Sequence, residues 1–230
     1  MKNILNEKPT YNIKGRLAES LRFVDIKDVY NKTILDIGCG YGWCELHFFK
    51  KGAKKIVGTE ITENDLITIK KHIKNKKAKF IVGNAIKLPC KKSSFDTAVS
   101  WEVIEHIPKN TETIMFSEIH RVLKKGGKFY LSTPYRNLFN NIFDPAWWLI
   151  GHRHYSKEKL LKYGKDHGFS IEKMEVTGSW WSLFSSLNMY ITKWIFRRKR
   201  FFENTFLEHD DEEYKSHKGF VTIFVKYRKK

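Results

Sequence analysis

Residues 34–42, ILDIGCGYG, bring an acid and three glycines into one short turn. Gly38, Gly40 and Gly42 let a backbone approach a ligand closely. The pattern is not a phosphate cradle. A dinucleotide turn reads G-x-G-x-x-G, and here its third glycine position is Trp43, whose indole opposes close packing of strand on helix. No Gly-Lys-Ser/Thr follows either. Such a turn suits a ligand whose middle is uncharged or cationic, with acids nearby. Asp36 and Glu60 are those acids. Glu60 lies 24 residues after Asp36, the spacing expected of an acid that grips ribose hydroxyls. A carboxylate accepts two hydroxyl hydrogen bonds and repels a 2′-phosphate.

A second set of reactive side chains is histidine-rich. His106 stands in EHIP, and His152, Arg153 and His154 stand in GHRHYS, residues 151–156. Each imidazole could move a proton near neutrality, and Arg153 could bind an anionic group. The plainer reading of His106, and the favoured one, is that it fixes its loop by hydrogen bonding. For GHRHYS a solvated loop leading into a helix weighs equally.

The elements that must position these residues alternate. Apolar, β-rich runs at Lys32–Ile37, Lys55–Glu60, Ala78–Val82, Phe95–Trp101, Lys128–Thr133, Phe169–Val176 and Phe220–Tyr227 read as seven strands. Helical spacing covers Arg16–Tyr30, Trp43–Lys50, Glu63–Lys74, Thr111–Lys124 and Ser156–His167. Thr111 and Ser156 are expected N-caps, and Gly126 and Gly168 are expected to close the last two helices. This alternation implies a mostly parallel sheet with helices on both faces, with its ligand beyond the carboxyl ends of the strands.

Length and composition set the bounds. The chain has 230 residues, 41% hydrophobic and 15% aromatic, enough for one domain with a real core. Lys and Arg number 43 against 25 Asp and Glu, a formal charge of +18. That excess points to a polyanionic partner, nucleic acid or an anionic membrane surface, or else to lysines scattered singly over polar faces. Cys39, Cys44 and Cys90 have neither disulfide nor zinc-site spacing, which fits a reducing cytoplasm, and no metal is assigned. The N-terminal stretch is polar and has no apolar core of signal-peptide length.

The sequence resembles the class I S-adenosylmethionine-dependent methyltransferases, in the branch of the ubiquinone and menaquinone enzymes, over about residues 30 to 176. ILDIGCGYG resembles the first motif of that family and VGTEI the second. GNAIKLP is similar to its adenine-binding turn, FDTAVSWEVIEHIP to its fourth-strand motif, and LKKGGKFYLSTP to the turn into its fifth strand. The resemblance implies an α/β, doubly wound, mostly parallel seven-stranded Rossmann-like sheet with a helical insertion before the last strand. It implies S-adenosylmethionine as cofactor. Asp36, Gly38, Cys39 and Gly40 would lie at its methionine and ribose part, and Glu60 would bind the ribose. Ile61 would flank the adenine, and Asn84, where the family usually has Asp, would accept from the adenine amino group. The backbone of Ala85 would serve the ring nitrogen, and Trp101 and Glu102 would border the methionine end. No DPPY-like tetrapeptide follows the fourth strand, which disfavours methylation of DNA amino groups.

Against that frame, residues 1–30 form an N-terminal helical cap, 31–177 the cofactor-binding core, 178–218 an insertion and 219–230 the last strand, all in one domain. The sixth strand should run parallel to its neighbours, so the insertion should rise over the active site. Residues Ser179–Phe196 have a helical period, with Trp180, Leu183, Phe184, Leu187, Ile191, Trp194 and Ile195 on one face. As one helix they would reach about 27 Å, short of a bilayer core of roughly 30 Å. With Trp181, and with Arg197 and Arg198 opening a basic run, the segment suits an interfacial seat better. Trp147 and Trp148 in AWWLIG add a second tryptophan-rich element on the same side. The reading is a cytoplasmic enzyme, peripheral at the inner face of the membrane, that methylates a small lipophilic or membrane-linked acceptor at O or C. A lid packed on the domain and a dimer interface are the other uses of the insertion. The competing functions are an RNA methyltransferase using the basic surface, with nucleic acid the less favoured partner, and a non-catalytic cofactor binder. Oligomeric state stays open.

Overall fold

The structure, a computed structural model, describes residue 3 and residues 5–230; residues 1, 2 and 4 of the expected cap, and the side chains of Leu149 and Ile150 in AWWLIG, lie outside the description. Seven strands form one sheet: β1 (Thr33–Ile37), β2 (Lys55–Glu60), β3 (Ala78–Val82), β4 (Phe95–Trp101), β5 (Leu123–Pro134), β6 (Phe169–Thr177) and β7 (Thr222–Lys229). Their order is β3-β2-β1-β4-β5-β7-β6. β1 to β5 pair in parallel, and β7 runs antiparallel to both β5 and β6. Strand order reverses between β1 and β4, so a crevice opens beyond their carboxyl ends.

Nine α-helices connect and cover the sheet among the described residues: α1 (Gly15–Phe23), α2 (Trp43–Lys50), α3 (Ile67–His72), α4 (Glu112–Val122), α5 (Leu138–Phe143), α6 (Pro145–Ile150), α7 (Lys157–Asp166), α8 (Trp180–Tyr190) and α9 (Glu203–Lys215). The core lies in two layers, one on each face of the sheet. On one face Phe116 of α4 meets Phe129, Phe169 and Tyr227. On the other, Phe23 and Phe48 pack with Ile34, Tyr130 and Phe224. Each ring of this size, fully buried, is worth about 1.5–3 kcal/mol.

Several helices are shorter than their periodicity predicts. α1 stops at Phe23 instead of Tyr30, because Asp25 and Asp28 turn toward Lys226, at 2.6 and 2.8 Å. The buried ammonium is stabilised by carboxylates that a continuing helix would carry elsewhere. α3 keeps only Ile67–His72 of the expected 63–74, since Thr62 and Asp65 hydrogen-bond each other at 2.7 Å in a preceding turn. Thr111 does not cap α4; its hydroxyl donates to the carbonyl of Pro108 at 2.6 Å. That helix gives way directly to β5, which takes in Gly126. Ser156 does cap α7, accepting from the Lys159 amide at 3.3 Å.

The end of β6, the start of β7 and the end of β5 sit together, with Thr177 and Pro134 both paired to Thr222. The insertion between β6 and β7 therefore rises on the ligand side. It is not one long helix. α8 passes into a π-turn at Ile191–Ile195, and the basic run leads into α9, a helix the periodicity did not single out. α5 and α6 are two further short helices between β5 and α7.

Candidate active site

The carboxyl ends of β1, β2 and β4 open into a cavity of about 820 Å³, lined also by residues 5–20 and by the insertion. Its floor is the glycine turn. Gly38, Gly40 and Gly42 all have positive φ, at 76°, 54° and 96°, a region that only glycine enters without strain. A Cβ on Gly38 would lie 2.5 Å from Val103 Cγ2, whereas one on Gly40 would meet nothing within 4 Å. Gly38 and Cys39 donate their amides to the Thr59 carbonyl, at 2.9 and 3.1 Å. The Gly40 amide donates to Glu60 Oε1 at 2.8 Å, so turn and acid face each other across the cavity floor.

Beneath the turn lies a pair of buried acids. Burial, then the charge of Glu60, pushes the Asp36 carboxyl well above the usual range, and Asp36 Oδ1 has no partner. Glu45, in the first turn of α2, is raised by burial and by Asp36, and neither of its oxygens has a partner. Glu45 was not picked out from the sequence, where it reads as an ordinary acid at a helix start. Cys39 borders the cavity and packs with Leu66 and Ile69, and burial raises its thiol.

Ile61, Asn84 and the buried Ala85 border the cavity on the β2–β3 side. Asn84 Oδ1 accepts from the Ile86 amide at 3.1 Å, which holds the side chain and leaves one lone pair of the oxygen. Trp101 ends β4 with its indole N–H buried and unpartnered. Glu102 follows at φ 55°, a left-handed conformation that costs a non-glycine residue energy. Ser132 donates to its Oε1 at 2.7 Å, and Arg16 of α1 bonds Oε2 at 2.7 Å. Nothing local in the sequence links Arg16 to the site, since its partner lies 86 positions away.

The histidines separate by role. Only His106 lines the cavity. His152 is buried beside it, with their Nε2 atoms 3.1 Å apart. Loss of solvation, then His152 and nearby arginines, lowers His106 to about 4. His154 has no exposed side-chain surface; its Nε2 meets Asp144 Oδ2 at 2.9 Å and its Nδ1 meets Asn141 at 2.8 Å. Both nitrogens are engaged, so the expectation of His154 as a base is corrected. Arg153 is corrected too. Its guanidinium donates to the carbonyls of Ile104 and Ile107, at 2.7 and 2.6 Å, and so pins the His106 loop instead of facing a substrate.

The tryptophans also divide. Trp147 is half-buried and packs on His154 at 4.7 Å, and Trp181 stacks on His209 of α9 at 4.4 Å yet stays exposed. Trp148 and Trp194 are 69% and 54% exposed. Trp180 is exposed yet meets Phe139 of α5 at 4.9 Å, which joins the outer faces of α5 and α8. Arg197 is exposed, and Arg198 is exposed at the cavity edge with its guanidinium over the Phe201 ring.

The cavity fits one kind of ligand. A glycine turn with open space at Gly40 faces a ribose-type acid, and an orphaned buried carboxylate oxygen lies beneath it. A nucleoside with a cationic chain matches all three features.

A family model described as a methyltransferase domain matches residues 35–131. The sterol 24-C-methyltransferase of Pneumocystis carinii is 33% identical over 153 residues, 64% of this chain and 37% of that protein. Norajmaline N-methyltransferase of Rauvolfia serpentina is 33% identical over 130 residues, 53% of this chain and 44% of that one. The chain thus spans about a third of the length of the sterol methyltransferases it matches. A solved S-adenosylmethionine-dependent methyltransferase from Mesorhizobium loti superposes with a TM-score of 0.64 at 19% identity, covering 92% of this chain and 96% of that one. Residues 35–131 thus match a methyltransferase domain, and the fold is that of a solved S-adenosylmethionine-dependent methyltransferase. These matches do not single out the quinone branch.

Proposed function

We propose that the protein transfers the methyl group of S-adenosylmethionine to oxygen or carbon of a lipophilic acceptor presented at an anionic membrane surface. The observation that carries this reading is the orientation of the insertion. α8 and the π-turn bury their small polar residues: Ser185 and Thr192 are each 1% exposed. Much of their aromatic and aliphatic face points outward, with Trp194 54% and Ile195 70% exposed, while Leu183 is buried. A soluble lid would do the reverse. The outward face continues into Leu138, Phe139 and Ile142 of α5 and into Phe196 and Phe202, all exposed. An apolar patch of this extent marks an interaction surface. Arg197, Arg198 and Lys199 are exposed beside it, matching the charge of anionic headgroups. Among the described residues no helix is long and apolar enough to cross a membrane, so the patch would lie in the interface.

In this reading Gly38, Gly40, Glu60, Ile61, Asn84 and Ala85 hold the cofactor, which supplies an electrophilic methyl. Trp101, Glu102 and Arg16 fix the boundary between cofactor and acceptor. The protein's task is alignment and exclusion of water, because the reaction is an in-line displacement.

The test is incubation with methyl-labelled S-adenosylmethionine and an extract of the source cells. Label in the organic phase is expected. Label in RNA would overturn the acceptor class, and bound cofactor with no label in any fraction would overturn the activity.

A further inference from the structure

We propose that Glu105, His106 and His152 form a binding site for one divalent first-row transition ion of the zinc class, at the acceptor end of the cavity. His106 and His152 belong to segments 46 residues apart, yet their Nε2 atoms stand 3.1 Å apart. Glu105 Oε1 lies 3.9 Å from His152 Nε2, and the three donor atoms are all within 4.8 Å of one another. Ligands at zinc distances of about 2.0–2.1 Å stand roughly 3.3 Å apart around a tetrahedral ion. The observed spacing is of that order.

Two further observations point to a cation. Glu105 is buried at 3% exposure, and its Oε1 has no hydrogen-bond partner. Thr133 donates to the other oxygen at 3.0 Å, which fixes the carboxylate and leaves Oε1 aimed at the histidines. A bound ion would satisfy that oxygen.

The second observation is the support behind His152. Its Nδ1 lies 3.2 Å from Asp144 Oδ2. The Asp144 carboxylate accepts from Nδ1, which leaves Nε2 of His152 turned to His106. A carboxylate behind a ligating histidine is the usual outer support of a metal site. Asp144 is itself fixed, accepting from the Ala146 amide at 3.0 Å and from His154.

Three protein ligands leave a fourth position open, and His106 places it at the cavity wall. There the ion would bind an oxygen of the acceptor and lower its pKa. That role, unlike the binding site, rests on the methyl-transfer reading and favours oxygen as the acceptor atom.

The experiment titrates the chelator-stripped full chain with Co²⁺ and then with Zn²⁺. One equivalent of Co²⁺ is expected to give the visible ligand-field bands of a four- or five-coordinate ion, and Zn²⁺ should displace it. His106→Ala and His152→Ala should abolish the bands while retaining cofactor binding, and Asp144→Asn should weaken the ion about 10–100-fold. His217→Ala alters the separate Glu19, Glu175 and His217 cluster and should change nothing. X-ray absorption at the zinc edge of the wild-type protein checks the ligands without relying on a variant, and should show two imidazoles. Absence of bands, bands that survive both histidine variants, or a different imidazole count would overturn the site. Stoichiometric ion binding without methyl transfer would leave the site standing and sink the proposed activity instead.

Discussion

The cavity has two walls, and they are made differently. The cofactor wall is main chain: the turn at Gly38–Gly42 is held by amide bonds to Thr59 and Glu60 on the neighbouring strand. The acceptor wall is built from side chains that meet across long stretches of sequence. Arg16 reaches Glu102. Asp211 of α9 accepts from the Gly15 amide at 3.0 Å, and Glu213 accepts from the amides of Ser179, Trp181 and Ser182 at 2.8–2.9 Å. α8 thus borrows its N-terminal cap from another helix. A wall of backbone fixes one ligand geometry, whereas a wall of exchangeable side chains can be refitted to other acceptors on the same sheet.

The cofactor wall is most sensitive at its two glycines. Gly38→Ala meets Val103 and a left-handed φ. Strain of about 1–2 kcal/mol then adds to overpacking of about 1–3 kcal/mol. Urea unfolding should show the loss, and cofactor binding should disappear with it. Gly40→Ala carries only the strain, since nothing lies within 4 Å of the new methyl. It should stay folded yet bind S-adenosylmethionine poorly by calorimetry, because the methyl fills the cradle. Wild-type affinity in Gly40→Ala would mean that the cofactor does not approach this turn.

Next in size is Glu60→Gln. A hydrogen bond to a charged group is worth about 1.5–3 kcal/mol, so cofactor affinity should fall roughly 10–100-fold. Binding to lipid vesicles should not change, since Glu60 belongs to the other wall. A joint loss of both would show the walls to be coupled.

The same division explains what the sequence discloses. The seven strands and the turn are legible because period, glycine spacing and an acid at a strand end act within a few residues of each other. Arg16, Glu45 and Glu213 are not legible, because their roles depend on partners brought together only by the sheet. Arg153 and His154 look reactive in GHRHYS, yet the fold turns both inward to hold carbonyls and a carboxylate. The helical period of α8 is plain in the sequence, but not which face turns outward. The start of α8 is held by Glu213 of α9, a partner that the sequence places more than 30 residues away. The apolar residues of α5 have no sequence neighbour to mark them as part of the same surface, and the contact of Phe139 with Trp180 supplies the link.

Trp194→Ala combined with Ile195→Ser tests the outer face of the acceptor wall. Burying side chains of this size is worth about 1.5–3 kcal/mol each, so cosedimentation with anionic vesicles should weaken at least 10-fold. Stability should stay within about 0.5 kcal/mol, as for other exposed substitutions, and cofactor affinity should match wild type. Unchanged vesicle binding would remove the membrane from the proposed function and return the face to a protein partner.

The smallest effect sharpens the comparison most, because it asks whether the acceptor wall is one unit. Glu213 also accepts from the Ser182 hydroxyl at 2.9 Å, so four donors converge on a single carboxylate. Glu213→Gln keeps the shape and one acceptor oxygen but removes the charge that complements the start of α8. A lost cap costs about 0.5–2 kcal/mol, and a partial loss belongs near the lower end of that range in urea unfolding. If α9 presents α8 to the membrane, vesicle affinity should fall too. If stability falls and vesicle binding does not, α8 keeps its outward face without α9, and only the cavity-facing side of the insertion depends on the cap.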